Sequence, residues 1–260
     1  MKGEQQVGGT AGYLELFRRN RDFRLLFAAQ VVSYCGDWFL TVALLDLVLR
    51  LTGSATLAGL LILCQTLPMF LCAPWAGTVV DRYDRRRLMI ALDVGRIGLA
   101  LLPIAAQSVE LLPLAYVSVV GISVGAAFFA PAMQAAIPNV VTGEELGRVN
   151  VLMGSTWGTM LAVGSALGGI VAGLFGVAAA CVFDAGTFAF SALALWAIRR
   201  PFQQQLSRSR VPLVASLREA AAYAREHPRV LALLTCKGGF GVGAGAAVLL
   251  SVFATTVFQS

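Results

Sequence analysis

The sequence predicts an all-α membrane protein, a six-helix transmembrane bundle followed by a seventh spanning helix. Three observations carry this. Apolar residues make up 58% of the 260 and charged residues 13%, against roughly 45–50% and about 25% in soluble domains. Seven apolar stretches reach the length of about 20 residues that a helix needs to cross a bilayer. Lys and Arg fall almost wholly between alternate stretches, the asymmetry that orients membrane proteins.

The seven stretches are 25–49, 57–79, 88–106, 111–130, 149–174, 177–198 and 230–258. Their interruptions are short, except at 131–148, with Pro138, Asn139, Gly143, Glu144 and Glu145, and at 199–229, rich in Gln, Ser and Arg. The expected organisation is a polar cytoplasmic segment over 1–24, the six-helix bundle over 25–198, a cytoplasmic linker over 199–229 and the seventh helix over 230–260.

Orientation comes from the basic residues. Lys2, Arg18, Arg19, Arg21 and Arg24 precede the first span. Arg82, Arg85, Arg86 and Arg87 follow the second, and Arg148 follows the fourth. Arg199, Arg200, Arg208, Arg210, Arg218, Arg225 and Arg229 follow the sixth. These seventeen of twenty lie on one side if the spans alternate, and Arg50 alone lies on the other. The expected place is the cell (inner or plasma) membrane, multi-pass, with the N-terminus in the cytoplasm. The excess of +6 then belongs to loops beside an anionic leaflet and not to a nucleic-acid surface.

Within 199–229, Leu217, Ala220, Ala221 and Ala224 fall on one helical face over 214–226, which reads as an amphipathic helix. The first two dozen residues are polar and carry no signal-peptide core. The five cysteines sit in apolar runs without a CxxC pair and read as small hydrophobes. One isolated histidine, His227, cannot build a metal site. No metal, no cofactor and no catalytic residue is expected: no span pairs a His with a nucleophile, and no loop carries an ATP-binding Walker sequence.

Charges inside spans are costly and mark candidate sites. Asp37 lies deep in the first span, on one helical face with Gln30, Ser33, Tyr34 and Thr41. Two readings stand: a hydrogen-bonding stripe between helices, or the polar wall of a substrate or proton pathway. Asp46 falls on the opposite face near the far end, within reach of interfacial water. Asp93 and Arg96, three apart in the third span, can form an ion pair on one face. Asp184 shares a face with Thr187 and Ser191, serving either packing or the pathway. Lys237 sits in a glycine-rich stretch of the seventh span. The fifth span carries Gly154/Gly158, Gly164/Gly168 and Gly169/Gly173, small residues four apart that let helix backbones approach.

The segment Gly77-Thr78-Val79-Val80-Asp81-Arg82-Tyr83-Asp84-Arg85-Arg86-Arg87 resembles the G-x-x-x-D-R-x-G-R-R loop of the major facilitator superfamily, with Asp84 in place of the glycine. Gly36-Asp37, Leu51-Thr52-Gly53-Ser54-Ala55, Asp93-x-x-Arg96 and Ala135-Ala136-Ile137-Pro138 are similar to its macrolide- and siderophore-exporter branch, and the resemblance covers nearly the whole chain. It implies twelve helices in two halves with the site between them, of which this chain holds the first half and the seventh helix. A missing second half or a partner subunit is then required, besides lipid, a small-molecule substrate and protons. It also implies that Gly77 permits close helix contact, and that Asp81, Arg82, Arg85 and Arg86 form a conformational latch. Gly164-Ser165-Ala166-Leu167-Gly168-Gly169 resembles the antiporter motif G-P-x-x-G-G, with Ser165 replacing the proline. The implied activity is secondary active transport, proton-coupled efflux of amphipathic drugs or similar organic molecules. The alternative is a truncated, non-transporting membrane subunit.

Overall fold

A computed structural model describes residues 10–106, 108–203, 213–232 and 235. The helices are α1 (Thr10–Arg19), α2 (Arg21–Thr52), α3 (Ala55–Arg82), α4 (Arg85–Leu101), α5 (Pro113–Val140), α6 (Leu146–Ala197) and α7 (Leu213–Glu226), with a 3-10 turn at Leu102–Ala105 after α4. Contacts divide the chain into Met1–Arg208 and Ser209–Ser260. The expected seventh span falls almost entirely outside the described residues.

Among the described residues, five helices, α2 to α6, are long and apolar enough to cross a membrane. The last has 52 residues, about 78 Å of helix against a hydrocarbon core of about 30 Å. It is two spans joined at Gly176, whose φ of 80° and ψ of 173° break the helix. That conformation favours glycine, which has no Cβ to clash. The break falls where the fifth and sixth apolar stretches part.

Two boundaries differ from expectation. The interruption after the fourth span does not begin at Pro131, because α5 runs on to Val140 with Pro131 and Pro138 inside it. Proline is tolerated in a buried membrane helix when neighbours re-satisfy the freed backbone groups. Near the end of α5, Asn139 Nδ2 donates to Ala135 O at 3.3 Å, and Asn20 Nδ2 donates to Val140 O, a C-terminal carbonyl of the helix, at 2.9 Å. Nor is the N-terminal segment merely a polar lead-in. It contains α1, and α2 begins at Arg21, where the Asn20 side chain accepts from the Phe23 N–H at 3.0 Å. Phe17, Phe23 and Phe27 pack ring on ring at that junction, with centroids 5.2–5.9 Å apart.

The turn between α2 and α3 is built by Thr52, Gly53 and Ser54. Gly53, at φ 62°, closes α2 through its N–H to Leu49 O, and Ser54 caps α3 by accepting from the Leu57 N–H. Asp84 caps α4 by accepting from the Arg87 N–H at 2.8 Å, a local reason for an acid where the related loop has glycine.

In the first unit α2 packs mainly on α6, α3 on α5, and α4 on both α5 and α6. Two large apolar clusters and a smaller one of Phe39, Ala43, Ala172 and Ala180 hold the bundle. One large cluster, at the arginine-rich end, centres on Phe23, Leu26, Met89, Met133, Ile137 and Leu195. The other centres on Leu44, Val48, Leu61, Ala115, Cys181 and Phe188. The buried polar residues Gln30, Ser33, Asp93, Arg96 and Ser191 fall between the two large clusters along their helices. Large apolar side chains on α3 (Leu63, Phe70, Trp75) and α6 (Trp157, Leu167, Leu174) stay exposed, as expected where the neighbour is lipid or further protein.

In the second unit, α7 occupies the segment read as an amphipathic helix. Arg218, Glu219, Arg225 and Glu226 are exposed and Ala224 is buried.

Candidate functional site

The polar layer is assembled by four helices. α2 contributes Tyr34 and Asp37, α4 contributes Asp93 and Arg96, α5 contributes Ser123, and the second arm of α6 contributes Asp184, Thr187 and Ser191. The Arg96 guanidinium pairs with Asp93 at 3.4 Å, and the two side chains are 2% and 0% exposed. It also lies over the rings of Phe129 at 4.9 Å and Phe188 at 5.1 Å, an arrangement that favours the cation in a dry site. Gly125 makes room for it, since a Cβ there would stand 2.8 Å from Arg96 Nε.

A cavity of about 170 Å³ opens beside this layer, walled by Tyr34, Asp37, Trp38, Met69, Phe129 and Trp157, with Gln65, Thr66, Arg96 and Ser123 as its other polar groups. Trp38 and Trp157 meet edge to face with centroids 5.9 Å apart. Asp37 is half-buried, and its Oδ1 accepts no hydrogen bond among the described residues. The wall is thus aromatic and apolar with a few polar anchors and the Asp37 carboxyl, the lining of a small-molecule site, in a volume below the roughly 300 Å³ of a typical ligand pocket.

The stripe expected on α2 divides. Thr41 lines a smaller adjoining cavity with Asp37 and Gln65. Its hydroxyl donates to Asp37 O at 2.7 Å and accepts from Gln65 Nε2 at 2.7 Å. Gln30 and Ser33 do not wall the cavity. They are buried, and Gln30 donates to Met153 O across to α6 at 3.3 Å, so at those two positions the stripe joins helices. Asp184 is also off the cavity wall. It lies behind α2, against Gly36, with Oδ1 3.2 Å from the Thr187 hydroxyl, whose single proton has Asp184 O at 2.7 Å as its nearer acceptor. Asp46 pairs with Arg50 at 2.8 Å near the far end, where the Arg50 side chain is 63% exposed.

Of the three glycine pairs, only Gly164/Gly168 makes a close approach. A Cβ on either would come within 2.7 Å of backbone atoms of Cys35 or Phe39 on α2. Gly154, Gly158 and Gly173 face open space, and Gly169 meets only Val42 at 3.8 Å. Ser165 is half-buried beside them. The contact expected at Gly77 is not made to any described residue, since a Cβ there would meet no atom within 4 Å.

The loop arginines grip their own unit. Arg85 pairs with Asp81 at 3.4 Å and donates to Ala135 O at 2.9 Å and Phe202 O at 3.4 Å. Arg86 donates to Arg200 O and stands over the Phe202 ring at 5.1 Å. Asp22 accepts the N–H groups of Arg199 and Arg200, each at 3.2 Å. Residues 199–203 are thereby strapped across the ends of α2, α4 and α5. Asp81 and Arg82 remain exposed.

The packing contact of Gly36, and Gly125, Gln65, the Trp38–Trp157 pair and the Asp22 strap, escape a reading of the sequence. Each depends on a partner more than twenty positions away; only the capping role of Asp84 had a local signal.

Compared with known families, residues 26–260 match the Major Facilitator Superfamily. Among curated proteins, the chain is 27% identical to an uncharacterized MFS-type transporter, YfiS, of Bacillus subtilis, over 83% of this chain and 52% of the relative. It is 34% identical to macrolide efflux protein A of Streptococcus pyogenes, over 48% of this chain and 32% of the relative. With multidrug efflux pump Tap of Mycobacterium tuberculosis it shares 29%, over 70% of this chain and 45% of the relative. The chain spans about a third to a half of the length of these three relatives.

Proposed function

The chain belongs to the major facilitator superfamily of multi-pass membrane transporters, and from that premise we propose that it forms one wall of a pathway for proton-coupled efflux of amphipathic organic molecules. The observation that carries this reading is the aromatic cavity with the Asp37 carboxyl on its wall. Planar, apolar cargo suits Trp38, Trp157, Tyr34 and Phe129. Asp37 is the group that exchanges protons, because a carboxyl between cavity and dry layer can be reached by solvent on one side and by Arg96 on the other. The efflux proteins among its relatives favour an exporter. It is a carrier and not an enzyme, it sits in the plasma membrane, and the arginine-rich end faces the cytoplasm.

The pathway is completed by a second six-helix half, in the same polypeptide or in a partner subunit. The exposed apolar faces of α3 and α6 on either side of the cavity mouth support this. Asp81, exposed beside Arg85, is free to bridge to that half as a latch, with Arg82 and Arg86 alongside. The residues of the antiporter-like segment, Gly164 and Gly168, keep α6 against α2 so that the two move together.

The test is efflux of a panel of dyes and antibiotics from cells expressing the chain joined to a second half. Energised extrusion that collapses when the pH gradient is dissipated supports the reading. Extrusion that ignores the pH gradient contradicts proton coupling. No extrusion of any compound contradicts the efflux reading.

A further inference from the structure

The proposed function gives a task to Asp37 and leaves a second buried carboxyl without one. Asp184 is 0% exposed. Its Oδ1 faces the Thr187 hydroxyl at 3.2 Å, and its Oδ2 accepts no hydrogen bond from any described residue. It stands against Gly36, the residue before Asp37. A Cβ on Gly36 would overlap Asp184 Oδ1 and Thr187 Oγ1. Glycine therefore opens a notch in α2, and the carboxyl of α6 fills it.

The charged and titratable groups around Asp184 are few. Cys35 and Asp37 on α2, Arg96 on α4 and Cys181 on its own helix lie near enough to interact with it electrostatically. Asp93 lies beyond, paired with Arg96. A guanidinium keeps its proton in proteins, so Arg96 supplies one fixed positive charge. Three ionised carboxylates around it would leave two uncompensated negative charges, one at Asp184 in the dry layer and one at Asp37 on the cavity wall. Burial of unpaired charge is strongly unfavourable. Two protons restore neutrality. Asp93 holds the ion pair, which leaves Asp37 and Asp184 to carry them.

We propose that Asp184 is a second proton-binding carboxyl, sharing its load with Asp37 across the Gly36 notch, so that the two titrate as one coupled pair. Asp37 meets the cavity, and Asp184 holds the reserve behind it. The proposal rests on the reading of Asp37 given above, but it is testable on this chain alone, without transport.

The experiment is infrared difference spectroscopy of the purified chain in lipid nanodiscs during a pH titration, following the carbonyl stretch of protonated carboxyls. Asp184→Asn should remove one such band. Asp37→Asn should remove another and move the pH at which the Asp184 band disappears by about one unit or more. Thr187→Val keeps the acid but deletes its hydroxyl partner and should shift the Asp184 band, which guards against a folding defect in Asp184→Asn. The proposal is overturned if Asp184→Asn leaves every band in place, or if the Asp184 band titrates at the same pH with and without Asp37. A complete transporter that pumps normally with Asp37→Asn would instead sink the proposed role of Asp37, while these bands still report on the pair.

Discussion

Arg96 shows how one side chain organises the centre of the bundle. It neutralises Asp93, stacks on two phenylalanines and reaches the cavity that Asp37 lines. Breaking a buried pair leaves an uncompensated charge and costs about 3–5 kcal/mol, whereas exposed pairs contribute about 0–1 kcal/mol. Arg96→Ala should therefore lower the unfolding free energy in detergent severely. Arg50→Ala, which removes an exposed partner of Asp46, should hardly change it. Equal losses in the two variants would show that the Arg96 pair is not dry. The pairing of Asp93 with Arg96 was legible from their spacing of three. The role of Gly125 beneath Arg96 was not, because nothing within α5 marks which glycine meets a guanidinium from another helix.

At the scale of helices, α2 is held between the two arms of α6. Its contact with the first arm is made by Gly164 and Gly168, and its contact with the second by Gly36. Gly168→Ala would drive a methyl group against the Phe39 backbone and should destabilise the bundle by about 1–3 kcal/mol. Gly169→Ala, one residue on, finds Val42 at 3.8 Å and should be neutral or slightly stabilising, since alanine is the better helix former. If both variants melt together, α2 and α6 do not pack in this register. Spacing alone predicted three glycine contacts and the structure uses one pair, because spacing fixes which residues share a face but not which face meets a neighbour. The strap at 199–203 carries a second expectation. Asp22→Ala leaves two backbone N–H groups without their acceptor, so hydrogen exchange at Arg199 and Arg200 should quicken. Unchanged exchange would mean that the other bonds to the strap, made by Arg85, Arg86, Asn139 and the Arg200 side chain, hold it without Asp22.

For the whole molecule, hydropathy made the spans among the described residues legible, because it is an average over many residues. The ends of α5 and the presence of α1 were not, since Pro131 reads locally as a stop and a polar N-terminus reads as a lead-in. The orientation remains an expectation with a direct check. Cysteines introduced near Arg85–Arg87 should react only with reagents that enter the cytoplasm, and those near Gly53 or Val109 with impermeant ones. Labelling of both sets from outside would reverse or abolish the proposed topology. The central claim is that this chain supplies one wall of a pathway whose proton coupling runs through Asp37. The most direct measurement is cargo-dependent proton flux in proteoliposomes, comparing the chain alone, the chain with a second six-helix half, and that complete form with Asp37→Asn. The account predicts no flux from the chain alone, flux from the complete form, and its loss in Asp37→Asn with the protein still inserted. Uphill transport by the chain alone, or undiminished flux in Asp37→Asn, would contradict it.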